Sequence, residues 1–402
     1  MDQDSKYSKR SETDRVFRAL DSLGQTAETL VAADTLSTSE QSLLTMSSLG
    51  KLGRFGNQLF QYAFLRICAL RSGAQIECPS WIGQSLFGHT EPPISQRLTP
   101  AIEQSNQGET LFDAFPEFIP YIEKMAGAPS VRVGVEALEP GLINVDLWGF
   151  FQVHTRFLQP HQIFFRSLFQ PVPDLRDALE VGLAQLRSQG KTIIGLHIRR
   201  GDFVRLPLAG FTLVVPLEWW CDWLDRTWHQ LDQPVLFLCS DELERVLPAF
   251  AKFKPITCND LSIAFPERLQ AINADFYIDF FMLSQCDVVG ISNSIFSFAA
   301  CLLNERGQQF FRPCWDFSIK FVQFDPWNSL PLLYMGDGQP KILKHINEVA
   351  AVALATQGPI GLLRCLCIQV PISLTRQWLV RAYLSYQVSG WRSVFMLLND
   401  RR

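Results

Sequence analysis

Lys191-Thr-Ile-Ile-Gly-Leu-His-Ile-Arg-Arg-Gly-Asp-Phe203 is the stretch that decides the fold. Its first part, Thr192 to Ile198, is short, apolar and rich in β-branched residues, which predicts a buried strand. Charge then arrives abruptly, with His197, Arg199, Arg200 and Asp202 falling within six positions and Gly201 permitting a sharp turn. Open α/β sheets bind ligands beyond the carboxyl ends of their strands, so guanidinium groups placed there are set to meet an anion. The planar fork of arginine suits phosphate oxygens. Taken alone, the simpler reading is a set of loop charges that pair with Asp202 and cap the next element.

The surroundings decide between these readings. From Asp174 to Gly190 the apolar spacing predicts a helix, and Pro216 to His229 predicts another, crowded with Trp219, Trp220, Trp223 and Trp228 as a core face. Strands are expected at Pro234–Asp241, Ile256–Cys258 and Val288–Ile291. A helix carrying Asp279 precedes the last of these, and Ser292-Asn293-Ser294 and Ser297 follow it. Such alternation predicts a parallel sheet covered by helices on both faces. Its strand ends, near His197, Ser240 and Ser292, can share one crevice.

A second loop of interest lies upstream. Gly50, Gly53 and Gly56 precede apolar residues at helical spacing from Leu59 to Leu70, and Asn57 stands where an N-cap would. This is a glycine-rich loop feeding a helix N-terminus, a place that favours anions. Its spacing is neither GxGxxG nor GxxxxGK[ST], so dinucleotide and Walker readings are declined. Between 71 and 140 only Gln75–Cys78 is assigned, as a strand. A strand around Asp146 is expected to break at Gly149 and to lead to a short helix at Gln162–Phe169, with Pro171-Val-Pro173 as a hinge.

Composition bounds the function. With 36 basic against 40 acidic side chains and a net charge of -4, the chain has no overall footprint for nucleic acid, so anion binding must be local. Ten cysteines occur without zinc spacing and read as buried thiols. The first 48 residues read as a poorly ordered extension without a secretory signal, and no apolar run reaches membrane-spanning length, so the expected location is cytoplasmic.

Four blocks in this order resemble the α1,2-fucosyltransferases, which share a histidine-x-arginine-arginine motif. They are Gly53-Arg-Phe-Gly-Asn-Gln58 with Leu59-Phe-Gln-Tyr-Ala63, Trp148-Gly-Phe-Phe-Gln152, His197-Ile-Arg-Arg-Gly-Asp202, and Ile291-Ser-Asn-Ser-Ile-Phe-Ser297. The resemblance covers about residues 49 to 330. It implies a GT-B-like α/β architecture, two Rossmann-like domains facing across a cleft, and inverting transfer of L-fucose from GDP-fucose to a galactoside hydroxyl without a metal or other cofactor. The implied domains are an acceptor-side half at 49–173, a GDP-fucose-binding half at 174–335 and a helical extension at 336–402. It implies that Arg199 grips the β-phosphate, with Arg200 beside it. His197 and Asp279 would meet the guanosine part, and Ser240, Ser292, Ser294 and Ser297 would lie along the donor site. Arg54, Gly56 and Asn57 would face donor and acceptor from the other half. Asp202, Glu218 and His154 are general-base candidates by residue type alone, Asp202 being counted with the arginines as catalytic.

Departures from the family are visible too. After the serine pair the family has Phe-Ser-Trp-Trp, whereas this chain has Phe296-Ser-Phe298-Ala299; Phe150 and Phe203 stand where tyrosine is common. These put acceptor choice in more doubt than donor choice. Residues 360–395 mix apolar side chains with Arg364, Arg376 and Arg381, which leaves two readings: packing on the body of the enzyme, or a peripheral contact with an anionic membrane. Two rival functions stay open, another GDP-fucose-dependent transferase acting on protein or core glycan, and a non-catalytic nucleotide-sugar binding module.

Overall fold

The computed structural model describes residues 42–104, 110–114, 116, 118–201, 203, 215, 217–314 and 320–333, with isolated positions 354, 359 and 363. Among these, 42–81 and Thr90–Phe151 form one compact unit, and Ile82–His89 with 152–333 form another.

In the first unit, five parallel strands run in the order β2-β1-β5-β3-β4. They are β1 Leu43–Thr45, β2 Gln75–Glu77, β3 Thr99–Glu103, β4 Val131–Val133 and β5 Val145–Trp148. Helix α1, Phe55–Ser72, packs on this sheet and is buried on nearly every side, ending at Gly73 in the left-handed region. Helix α2, Phe118–Ala126, turns Phe118 and Ile122 into a cluster with Ile102 and Trp148.

The second unit places β6, Thr192–Ile198, between β7, Pro234–Ser240, and β8, Val288–Ile291. The sheet continues with β9, Gln309–Cys314, and closes on antiparallel β10, Lys320–Gln323. A parallel strand flanked on both sides is buried on both faces, which is why Ile193 to Ile198 reads as an unbroken apolar run apart from Gly195 and His197. One face is covered by the tryptophan helix α4, Leu217–Trp228: Trp220 and Trp223 pack with Ile194, Leu196 and Ile198 of β6 and Leu236 and Leu238 of β7. Helices α3, Pro173–Arg187, α5, Phe276–Leu283, and α6, Ile295–Leu303, complete the layers. The chain passes from β6 to β7 on one side and later to β8 on the other, so the strand order reverses at the β6–β8 seam.

Several expectations are corrected. The extension assigned to 1–48 overlaps β1, whose three residues are too few to show a period; its register is set by Gln75–Glu77 and Val145–Asp146, far away in sequence. The division between units falls after Phe151, not at the proline pair near 173. The segment 152–173 is tied to the second unit, and Ile82–His89 joins it: Val172 N–H donates to Leu86 O at 2.9 Å, and His89 Nε2 meets Leu168 O at 2.7 Å. The strand expected at Ile256–Cys258 reduces to one bridge, Phe237 to Ile256. There Asp260 accepts from Thr257 N and Oγ1 at 2.8 and 2.7 Å and bends the chain into a helical turn. Strands β3 and β4 and helix α2 fall in the stretch 71–140, where only Gln75–Cys78 is assigned from the sequence.

Gly195 is required by close approach, since a Cβ there would lie 2.6 Å from Cys286 Sγ and 2.9 Å from Leu283 Cδ1. Gly195→Ala is therefore expected to lower the thermal midpoint of the second unit by several degrees, for an overpacking cost of about 1–3 kcal/mol. Differential scanning calorimetry checks this, and an unchanged midpoint would refute the packing account.

Candidate functional site

The carboxyl end of β6 is built from both of its neighbours. Ser292, just past β8, accepts the Arg199 N–H at 2.9 Å and donates its hydroxyl proton to His197 O at 3.0 Å. Ser240, at the end of β7, donates to Ile198 O at 2.7 Å and accepts Glu242 N–H at 3.1 Å. Asp241 then takes both ends of the arginine pair. Its Oδ2 meets Arg199 Nη1 at 2.9 Å, and its Oδ1 accepts Arg200 N–H at 2.8 Å. A Cβ at Gly201 would come 2.2 Å from the same carboxylate, so only glycine lets the turn close against it. Arg200 Nε is drawn to Glu242 Oε2 at 3.3 Å, and Arg245 shares that carboxylate at 3.0 Å. Arg199 also lies over the Phe203 ring, 5.5 Å from its centroid.

This geometry separates the predicted residues. Arg199 has one Nη1 contact with Asp241 and stands partly open, with its side chain 16% exposed. Arg200 is oriented sideways by Glu242 and supports the turn. The serines are divided as well, because a hydroxyl has one proton to give. Those of Ser240, Ser292 and Ser297 are committed to Ile198 O, His197 O and Ser294 O, the last at 3.3 Å, and Ser297 is wholly buried. They lock the backbone behind the turn instead of facing an anion. Ser294 Oγ makes no such donation among the described residues, and it immediately precedes α6. Asn293 clamps Leu333, donating to its O at 2.6 Å and accepting its N–H at 2.9 Å.

Among the buried polar atoms of this unit that lack a hydrogen-bond partner, two lie near the carboxyl end of β6 and on α5. His197 is 5% exposed, its Nδ1 is unsatisfied, and burial, with Arg199 adding to it, pushes its pKa down to about 3, so the ring is neutral. Asp279, on α5, is half-buried as a residue, but its Oδ1 is sealed and unpartnered. Burial raises its pKa to about 6, the Cys258 thiol opposes this by donating to it, and Asp275 adds to the rise. An unsatisfied buried acceptor is costly to maintain in a stable fold unless something meets it. Phe296 connects the two residues' surroundings, 5.4 Å from the His197 ring and 5.3 Å from Phe280 of α5.

The first unit carries its own loop at the carboxyl ends of β1 and β5. Gly50 and Gly53 both have φ of +77°, and a Cβ on Gly53 would lie 2.5 Å from Asn57 Nδ2 and 2.8 Å from the Phe150 ring. Asn57 is not the N-cap that its sequence position suggested. Helix α1 starts three residues earlier than that cap would place it, with Arg54 as its extended cap residue, Gly56 buried in the first turn and Asn57 laid back over Gly53. Gln61 Nε2 bridges Leu52 O at 3.2 Å and Gly149 O at 2.9 Å, binding the loop to the end of β5. Asp146 gathers Ser47 N–H, Thr45 Oγ1 and Trp148 Nε1 within 2.8 Å. Lys51 is half-buried; burial lowers its pKa and the Asp146 charge opposes the fall.

A model of Glycosyl transferase family 11 matches residues 140–310, the segment that holds β6, β8 and the turn between them. The chain is also 25% identical over 258 residues to galactoside 2-alpha-L-fucosyltransferase Sec1 of Mus musculus, an alignment that spans 62% of each protein. This chain resembles the α1,2-fucosyltransferase family. Among solved structures, fucosyltransferase NodZ from Bradyrhizobium aligns with 71% of this chain and 99% of its own at 16% identity and a TM-score of 0.44. A mutant of Arabidopsis thaliana FUT1 in complex with GDP aligns with 78% of this chain and 81% of its own, at 13% identity and a TM-score of 0.40.

Other predicted positions are less central. Asp202 and most of 360–395 lie outside the described residues; Leu363 is exposed. Glu218 is exposed in the first turn of α4. His154 caps a short helical turn, its Nδ1 accepting Arg156 N–H at 3.3 Å. Its pKa is lowered by burial, then by Arg156 and Arg312, which leaves it neutral and able to take a proton. No described helix is long and apolar enough to cross a membrane, and no cluster of three His, Cys, Asp or Glu among the described residues could hold a metal. Sequence reasoning missed Asp241, Glu242 and Lys51. Asp241 was visible in the polar pair Ser240-Asp241 that ends a predicted strand, Glu242 follows it directly, and Lys51 sat between two glycines of a loop already singled out.

Asp279 supplies a test of this electrostatic account. Its folded pKa of about 6 exceeds the ordinary 3.8, so the folded state holds the proton more tightly and the ionised form weakens the fold above about pH 6. Asp279→Asn is expected to raise the thermal midpoint at pH 7.5, and the gain should vanish as pH falls through 4. A gain that grows on acidification would contradict the assignment.

Proposed function

We propose that this protein transfers L-fucose from GDP-fucose to a glycan hydroxyl with inversion, and that the receiving sugar is a β-galactoside, linked α1,2. What carries the reading is Arg199, anchored by Asp241 at the reversal point of the sheet with its side chain partly open to solvent. Departure of GDP concentrates negative charge on the β-phosphate while the fucosyl ring becomes cationic, so the barrier falls most where a preorganised cation meets the leaving oxygen. Arg199 is fixed before substrate arrives and need not reorganise. The start of α6 adds backbone N–H groups beside Ser294. The sealed Asp279 carboxylate and the neutral His197 ring suit a nucleobase: the carboxylate accepts from ring N–H groups, as guanine offers in pairs. The galactoside and the α1,2 linkage find support in the resemblance to the mouse galactoside 2-alpha-L-fucosyltransferase.

Release of GDP from GDP-fucose, measured with EDTA present and with β-galactoside acceptors, tests this. Wild type should turn over, and Arg199→Ala should lose about 10²–10³-fold in kcat, as for removal of one preorganised counter-charge. Failure to bind any guanine nucleotide would sink the assignment. GDP affinity should also decline as pH drops below about 6, where Asp279 gains its proton, whereas Asp279→Asn should bind more weakly at pH 7.5 with no step near 6. Isothermal titration across pH 5 to 8 reads both.

A further inference from the structure

From Ile291 to Leu302, across the end of β8 and most of α6, every residue is buried except Phe296, which is partly exposed in the first turn of the helix. Keeping a large aromatic surface partly in water forgoes burial that its neighbours have. Three ring contacts fix where it stands. The His197 imidazole lies 5.4 Å away, tilted by 38°, and the rings of Phe280 and Phe276 lie 5.3 and 6.3 Å away at 69° and 68°. Strand pairing holds the His197 side of this group: His197 is opposite Ile291 of β8, and Ser292 N–H donates to His197 O at 3.0 Å, three residues before α6 begins.

Helix α5 closes the other side. Phe276 and Phe280 are one helical turn apart and both meet Phe296, so the face they share is the one that α5 packs on α6. Asp279 stands three positions after Phe276 and belongs to that face by the same spacing. His197 Nδ1 and Asp279 Oδ1 are both buried without a hydrogen-bond partner. A partly open aromatic ring beside unmet polar atoms fits one kind of ligand group. Phosphate and hexose groups offer no flat face and no ring N–H. A nucleobase offers both, a π face for the phenyl ring and an edge of N–H donors and ring-nitrogen acceptors for the buried atoms.

We propose that Phe296 is the stacking wall of the nucleobase subsite, its phenyl ring lying against the face of the guanine of GDP-fucose. The proposal rests on the fucosyl-transfer reading above and divides the labour within that site. Stacking tolerates any base, so Phe296 supplies affinity common to purine nucleotides, and the polar edge supplies the choice among them.

Titration calorimetry on full-length protein with GDP, IDP and inorganic pyrophosphate tests this. Phe296→Leu keeps an apolar side chain and should weaken GDP and IDP alike by about tenfold, the scale of one lost base–aromatic stack. The GDP-to-IDP ratio and the pyrophosphate affinity should stay as in wild type, and Phe296→Tyr, which retains the π face, should keep the GDP affinity. A second measurement needs no variant: in deuterated wild-type protein protonated only at phenylalanine, saturating the ring protons should carry saturation to guanine H8 of GDP. Undiminished GDP affinity in Phe296→Leu, an equal loss for pyrophosphate, a loss confined to the acceptor KM, or no transfer to H8 would overturn the stacking role while leaving fucosyl transfer intact. Absence of binding by any guanine nucleotide would remove both.

Discussion

One carboxylate organises the charged end of β6. Two adjacent arginines repel each other and prefer water, yet the turn that carries them begins at a strand buried on both faces. Asp241 resolves the conflict by taking the side chain of one and the amide of the next, which sends the two guanidinium groups apart. Glu242 holds the second arginine aside. Because Asp241 comes from the end of β7, its position depends on the β6–β7 register, Ile198 against Ser240. A slip of one residue would reverse the faces of the strand and detach the carboxylate from the turn. The apolar core and the charged turn are therefore one problem: the tryptophan helix that buries β6 and β7 is also what fixes the distance between Asp241 and Arg199.

The same economy explains why most serines in the region are structural. The Ser240 hydroxyl donates to Ile198 O, and Ser292 holds His197 O twice, through its hydroxyl and through its backbone N–H. Rigidity at that edge is what lets Arg199 stand ready, since a counter-charge that must reorganise during the reaction loses much of its value. In contrast, His197 Nδ1 and Asp279 Oδ1 are left unmet in the interior, which is unfavourable for the isolated fold. Both atoms belong to residues that the resemblance places at the nucleoside.

Much of this was legible in the sequence, and the rest was hidden for identifiable reasons. Strand β6 announced itself because burial on both faces requires an unbroken apolar run, and β8 did the same. The tryptophan helix carried a clear face. Strands β1, β3 and β4 are three to five residues long, and β3 includes Pro100, so local pattern could not reveal them; pairing partners far along the chain make them strands. At the site, residue types were readable and directions were not. Nothing local says that Ser292 turns its proton inward to His197 O, or that Asn57 folds back over Gly53 instead of capping the helix. Those outcomes depend on which backbone groups the neighbouring strand leaves unpaired.

The replacement of tryptophan by Phe298 and Ala299 follows a different logic. Losing large aromatic volume from a core creates a cavity, and the least costly repair is another apolar side chain of similar size. Beside Phe298 stands an arginine, its guanidinium 5.7 Å from that ring and 4.6 Å from Phe324. Desolvating a guanidinium costs several kcal/mol in general. Stacking against two aromatic rings returns about 2 kcal/mol at a dry site, and the Leu330 carbonyl satisfies one N–H. Leucine or methionine would fill the same space without the penalty, as does the apolar packing of Trp220 and Trp223 on the other side of the sheet. Arg312 instead ties β9 to the 329–333 segment, because its Nη1 donates to Leu330 O while Ser329 and Leu333 are held by Thr155 and Asn293.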